Sequence, residues 1–416
     1  MSSTNQALPW RKWHGPIVAL SLVALTSWPM AAQDQAQQPD SPVMAPAVAA
    51  ETAAQVLAYW TAERMESAIP MPSPAVVDPN VGAPQANATL SVPEGEPGYA
   101  PGWDPASGVA APGPDIGFAF PAAAASQTDL AQPQHGVKPT NPRDGPYGPF
   151  QRNSLPRRYT SYPTSPVGKL FFTLPSGNFV CSASVIQRNT VVTAGHCNFG
   201  SGQFATNRMF CPSYNNGGVN PQRGCWAAVN SKTSAGWVNN GDPDYDYACL
   251  IMATSGTVWN APIGNVTGWF GRAWNFSSRQ VERDFGYPAG APFNGRLIID
   301  VASPEWYEHD FTAGGQVSKI MGNDMTGGSS GGPWILGFNH ASAEFADTDG
   351  SIETDPGGNW VNGVNSHKRC VGNCQSPPTT TTGVFWQEMT SPPFRNTAAG
   401  DETEDNFQVC FANGGV

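Results

Sequence analysis

The first 180 residues contain no cysteine, although the chain holds eight. All eight fall later, at positions 181, 197, 211, 225, 249, 370, 374 and 410. An even number confined to one region points to a disulfide framework and an oxidising compartment. Zinc is the competing reading, but the spacings do not pair into two close ligand couples with histidines nearby, so neither a metal nor another cofactor is expected. Charge is scarce as well, with Asp, Glu, Lys and Arg making up 13% of 416 residues and a net charge of −11. Most of the excess sits between residues 33 and 150, which hold 12 acidic and 3 basic residues. A concentrated basic face is absent, which argues against nucleic acid as a partner. Long apolar runs are missing too. The run Pro16 to Leu25, "PIVALSLVAL", is too short to span a bilayer.

That short run has a different use. Arg11 and Lys12 precede it and the small residues Ala31 and Ala32 follow, the layout of a secretory signal peptide over residues 1–32. The protein is therefore expected to be exported, extracellular or periplasmic, with no membrane span in the mature form.

Residues 33–158 are rich in Pro and Ala, and positions 33–150 alone carry 20 of the 40 prolines. Such a composition buries too little apolar surface to offset its conformational entropy, so most of it is expected to be disordered, as a prosegment or linker. One island differs. In "ETAAQVLAYWTAERMESAIP", Val56, Leu57, Trp60, Arg64 and Met65 recur at near-helical spacing, which predicts a short amphipathic helix near 51–69 that Pro70 stops. Docking of that helix on the folded part and a transient, isolated helix are both open.

After Arg157 and Arg158 long helical periodicity is missing. Short apolar stretches such as "GKLFFTL", "FVCSASVI", "TVVTAG" and "RLIIDVA" alternate with turn residues. This texture predicts an all-β sandwich or barrel architecture over residues 159–416. The composition break near Arg157 is also expected to be exposed and open to cleavage.

Three stretches carry candidate chemistry. "VVTAGHC" ends a β-rich run in a small-residue turn and then His196. "DPDYDYACLIM" places Asp246 before a run apolar enough to be a buried strand, where an aspartate needs a partner such as an imidazole N–H. "DMTGGSSGGPW" surrounds Ser329 and Ser330 with four glycines, which lets main-chain N–H groups crowd a reacting oxygen. The triplet Asp242, Asp244 and Asp246 hints at calcium, but Tyr247 stands where such a loop needs glycine.

"TAGHC", "DYACL" and "GSSGGP" together resemble the three motifs of the trypsin/chymotrypsin-like serine peptidases, in that family's order, and "YWTAERM" resembles the prosegment of some secreted bacterial members. The resemblance covers about residues 160–416 and implies a double six-stranded β-barrel, with barrel one near 165–265 and barrel two near 280–416. It further implies Ser330 as nucleophile, His196 as general base, Asp246 as its orienting partner, and the N–H groups of Gly328 and Ser330 as oxyanion donors. A Cys181–Cys197 disulfide is implied too, as is Asp324 at the base of the substrate pocket, where it would favour basic side chains before the cleaved bond. Ser329 departs from the family's aspartate at that position, so the oxyanion loop must be held by other contacts. The expected function is a monomeric serine endopeptidase acting on proteins or peptides. The alternative is an inactive relative binding proteins or cell-wall material.

Overall fold

The computed structural model describes residues 42–45, 52–77, 98–107, 150–154, 159–276, 280–309, 318–338, 359–371, 384–385, 388–394 and 410. The signal-peptide stretch and Arg157-Arg158 lie outside them. All described residues belong to the unit Gln37–Val416.

The Pro/Ala-rich segment contributes ordered pieces to both halves of the fold. It supplies β1 (Pro42–Met44), α1 (Ala53–Tyr59), α2 (Ala62–Ser67), β2 (Ile69–Pro70), β3 (Ala75–Val77), β4 (Gly98–Ala100) and β5 (Gln151–Ser154). The single helix expected near 51–69 is in fact two. Thr52 caps α1 in a capping box with Gln55, and Thr61 caps α2 through the Arg64 N–H, so the second threonine restarts the helix that ends at Trp60. Val56, Trp60 and Met65 are buried. The Trp60 indole donates to the Asn207 carbonyl at 2.5 Å and its ring packs on Phe171. The two helices are thereby docked on barrel one.

Barrel one is built from β6 (Val167–Leu174), β7 (Gly177–Gln187), β8 (Thr190–Thr193), the hairpin β9 (Phe199–Gly200) and β10 (Gln203–Phe204), β11 (Thr206–Pro212), β12 (Trp226–Ser234) and β13 (Ala248–Met252). The order β12-β11-β6-β7-β8-β13 closes through β12–β13 pairing into six antiparallel strands. Nearly every residue of β6 and β7 is buried on both faces, because barrel filling and the neighbouring barrel each cover one side. Between β12 and β13 lies α3 (Ala235–Asn240).

After α4 (Ile263–Thr267) and β14 (Gly271–Trp274) come β15 (Val281–Gly286), β16 (Ile299–His309), β17 (Ser318–Gly322), β18 (Pro333–Leu336), β19 (Trp360–Val364), β20 (Lys368–Val371), β21 (Val384–Phe385) and β22 (Glu388–Ser391). Barrel two follows the antiparallel path β22-β17-β16-β15-β18-β19, which β14 and β4 extend. The architecture is all-β and two-barrelled. Among the described residues no helix is long and apolar enough to cross a membrane.

Candidate active site

His196 leaves β8 on a single 3-10 turn, Gly195–Cys197. The residue before it must be small, since a Cβ at Gly195 would stand 2.9 Å from Asp246 Oδ1 and from the Trp237 ring. The next residue, Cys197, is bonded to Cys181 of β7 with the Cα atoms 6.3 Å apart, which ties the turn to the neighbouring strand. Two further disulfides, Cys211–Cys225 and Cys249–Cys410, occur among the described residues.

Asp246 closes the short turn Pro243–Tyr245 just before β13 and is completely buried. Its carboxylate accepts from the His196 backbone N–H at 2.7 Å, from His196 Nδ1 at 2.7 Å and from the Ser366 hydroxyl at 2.5 Å. Burial pushes the Asp246 pKa up, but the facing His196 and these three hydrogen bonds outweigh it and hold the carboxyl below its usual range. An ionised carboxylate can only accept, so Nδ1 carries a proton, and in the neutral imidazole Nε2 is then the acceptor nitrogen. Nε2 is buried and has no hydrogen-bond partner among the described residues, and the same is true of Ser330 Oγ.

Ser330 sits on a loop threaded between the barrels. Gly331 adopts φ +80°, and a Cβ there would fall 2.0 Å from Thr193 Oγ1. Gly328 adopts φ +94°. The Ser182 N–H donates to the Ser330 carbonyl at 2.7 Å and its hydroxyl to the Gly328 carbonyl at 2.9 Å, so β7 of barrel one clamps both ends of this loop.

Contacts from barrel two take the place of the missing aspartate at Ser329. The Ser329 hydroxyl turns back onto the Thr326 carbonyl at 2.8 Å, while Asn365 donates to the Ser329 carbonyl at 3.3 Å and accepts from the Gly331 N–H at 2.7 Å. Asn365 is itself held by the buried Asp284 at 2.7 Å, and Asn323 donates to the other oxygen of that carboxyl. Burial pushes the Asp284 pKa well up.

Asp324 lies on the same loop, six residues before Ser330, and pairs with the guanidinium of Arg152 from β5. The neighbouring Lys368 ammonium is pushed down to about 8 by burial, although Asp324, Glu388 and Asp284 favour its charge. Ser366, Asn365 and Asp284 lie in no sequence motif. The one available signal was the position of Asn365-Ser366 directly after an apolar strand.

No protein-family model matches the chain. Over 224 residues it is 25% identical to an "Extracellular metalloprotease" of Bacillus subtilis, covering 52% of this chain and 64% of that one. Over 158 residues it is 28% identical to a "Glutamyl endopeptidase" of Bacillus licheniformis, covering 37% and 44%. The matches thus span less than two thirds of these curated relatives. A thermostable serine protease from an extremophilic microorganism is 32% identical, covering 59% of this chain and 98% of that chain, with a TM-score of 0.44. The first of these names raises the question of a metal. Among the described residues the cluster with metal-ligand composition is Cys181, His196 and Cys197. Its two sulfurs are bonded to each other, so it offers no thiolate and does not fit a metal centre.

Proposed function

The chain belongs to the trypsin/chymotrypsin-like serine proteases, and we propose that it is an exported endopeptidase, made as a precursor, that cleaves peptide bonds through His196, Asp246 and Ser330. The observation that carries this reading is the His196–Asp246 pair, which leaves Nε2 as a buried acceptor in the site that also holds the unpartnered Ser330 hydroxyl. In this reaction Ser330 Oγ attacks the carbonyl carbon while Nε2 takes its proton. The oxyanion is stabilised by the N–H groups of Gly328 and Ser330, and the imidazolium, held by Asp246, then protonates the departing amine. Water repeats the sequence on the acyl-enzyme. The disulfides and the extracellular relative support export.

We propose a basic side chain before the cleaved bond, because Asp324 already holds a guanidinium, that of Arg152. After cleavage at Arg157-Arg158, Arg152 would be held only through the pairing of β5 with β16, and its release would free the carboxylate. Hydrolysis of a peptide panel ending in Arg, Lys, Glu or Phe tests this. Preference for Arg and Lys is expected, and preference for Glu would overturn it.

A further inference from the structure

Ser330 is 0% exposed and His196 2% exposed, which is unusual for groups that must meet a substrate. The cover comes from the N-terminal segment. After α2 the chain enters the cleft as β2, whose Ile69 and Pro70 pair in parallel with Phe179 and Val180 of β7, and the Met71 N–H donates to the Val180 carbonyl at 2.9 Å. The Met71 carbonyl then accepts from the Gly328 N–H at 3.0 Å. Contact with the loop is close enough that a Cβ at Gly327 would stand 2.9 Å from that carbonyl oxygen. Beyond it, the Pro74 carbonyl accepts from the Lys368 N–H at 3.1 Å, and β3 pairs in parallel with Lys368, Arg369 and Cys370 of β20.

On the reading of Gly328 as an oxyanion donor, we infer that residues 69–77 are an inhibitor of this chain's own catalytic cleft, laid across it in the opposite direction to a substrate. The leaving amine of a substrate must collect its proton from His196, so the departing half runs on the side of His196, the Cys181–Cys197 bond and β7. Here that side holds Ile69 and Pro70, which precede the carbonyl in the hole, and the residues that follow it run to β20. A chain of this polarity places a carbonyl on the oxyanion donor without presenting its own bond for cleavage. Pro72 adds a second barrier, because its ring nitrogen is fully substituted and its Cδ crowds any approach to it. Prolines at 70, 72 and 74 keep the stretch extended at low entropic cost.

The intact chain tests this. A fluorophosphonate should label wild type slowly, and the Val56→Asp/Trp60→Ala variant, whose helices no longer dock, at least tenfold faster. A synthetic peptide of residues 66–78 should restore slow labelling of that variant. Equal rates for both chains would overturn the inference. An intact Pro72→Ala chain should remain uncut after Met71, and cleavage there would show substrate-like polarity instead. Amide exchange at Gly328 in the unaltered chain needs no variant: strong protection is expected, and exchange at the rate of an open loop would contradict it. Absence of labelling in both chains, with fold retained by circular dichroism, would remove the serine-peptidase reading and this inference with it. Fast labelling of wild type would remove this inference alone.

Discussion

At the scale of single residues, the chemistry depends on which of two adjacent serines is the nucleophile. Ser329 donates its hydroxyl to the Thr326 carbonyl, whereas the Ser330 hydroxyl has no partner among the described residues. Ser330→Ala should therefore lower peptide hydrolysis by about 10⁴-fold or more, and Ser329→Ala by less than about tenfold. Steady-state kinetics on the trimmed, secreted form decides this, and the reverse ranking would show the register to be shifted by one. Gly331 offers a second check. Its φ of +80° and the 2.0 Å approach of a built Cβ to Thr193 Oγ1 mean that Gly331→Ala should cost at least about 2 kcal/mol in denaturant unfolding. The roles proposed for His196, Asp246 and Ser330 rest on residues that each sit in a short, legible motif. Ser366 was not legible in this way, since a serine that hydrogen-bonds an aspartate 120 positions away looks locally like any other serine.

At the scale of elements, the loop that carries Ser330 is held by two devices of different kinds. From barrel one, β7 supplies Ser182 and the Cys181–Cys197 bond. Removing that disulfide closes no loop in the unfolded chain, and for a separation of 16 residues it should cost about 3 kcal/mol on the chain-entropy estimate. Thermal unfolding of a Cys181→Ala/Cys197→Ala variant measures it. From barrel two, Asn365 donates to the Ser329 carbonyl and is itself held by Asp284. Because burial raises the folded-state pKa of Asp284, its contribution to stability is complete below the ordinary carboxylate range and is lost as pH rises through the raised value. Asp284→Asn should flatten that part of the Tm-against-pH curve, and an unchanged slope would mean that another group titrates there. This brace went unseen in the sequence. An aspartate inside an alternating strand reads as a surface residue until the second barrel covers it.

At the scale of the molecule, two barrels meet on one loop and a third component, the N-terminal segment, lies across the junction. Composition suggested disorder for that segment, and the two threonine-capped helices were visible only as one blurred periodicity. Its contacts with the cleft are almost all main-chain, through the Met71 and Pro74 carbonyls, and main-chain contacts leave no trace in residue identity. What did show was the alternation of proline in "IPMPSPA". Because Ser329 cannot pair with a buried ammonium and the loop is braced by Asn365 instead, activity should survive a ragged start between about Arg158 and Ser165. Variants that add one or two residues at the new terminus test this, and loss of nearly all activity on adding one would refute it.

The central claim, a working Ser-His-Asp site at Ser330, is tested most directly by treating the trimmed, secreted protein with a fluorophosphonate and locating the adduct by peptide mass spectrometry. The adduct should form on Ser330, abolish peptide hydrolysis in proportion to labelling, and fail to form in His196→Ala. A folded protein that hydrolyses peptides without being labelled at Ser330, or that is labelled equally well without His196, would contradict the account.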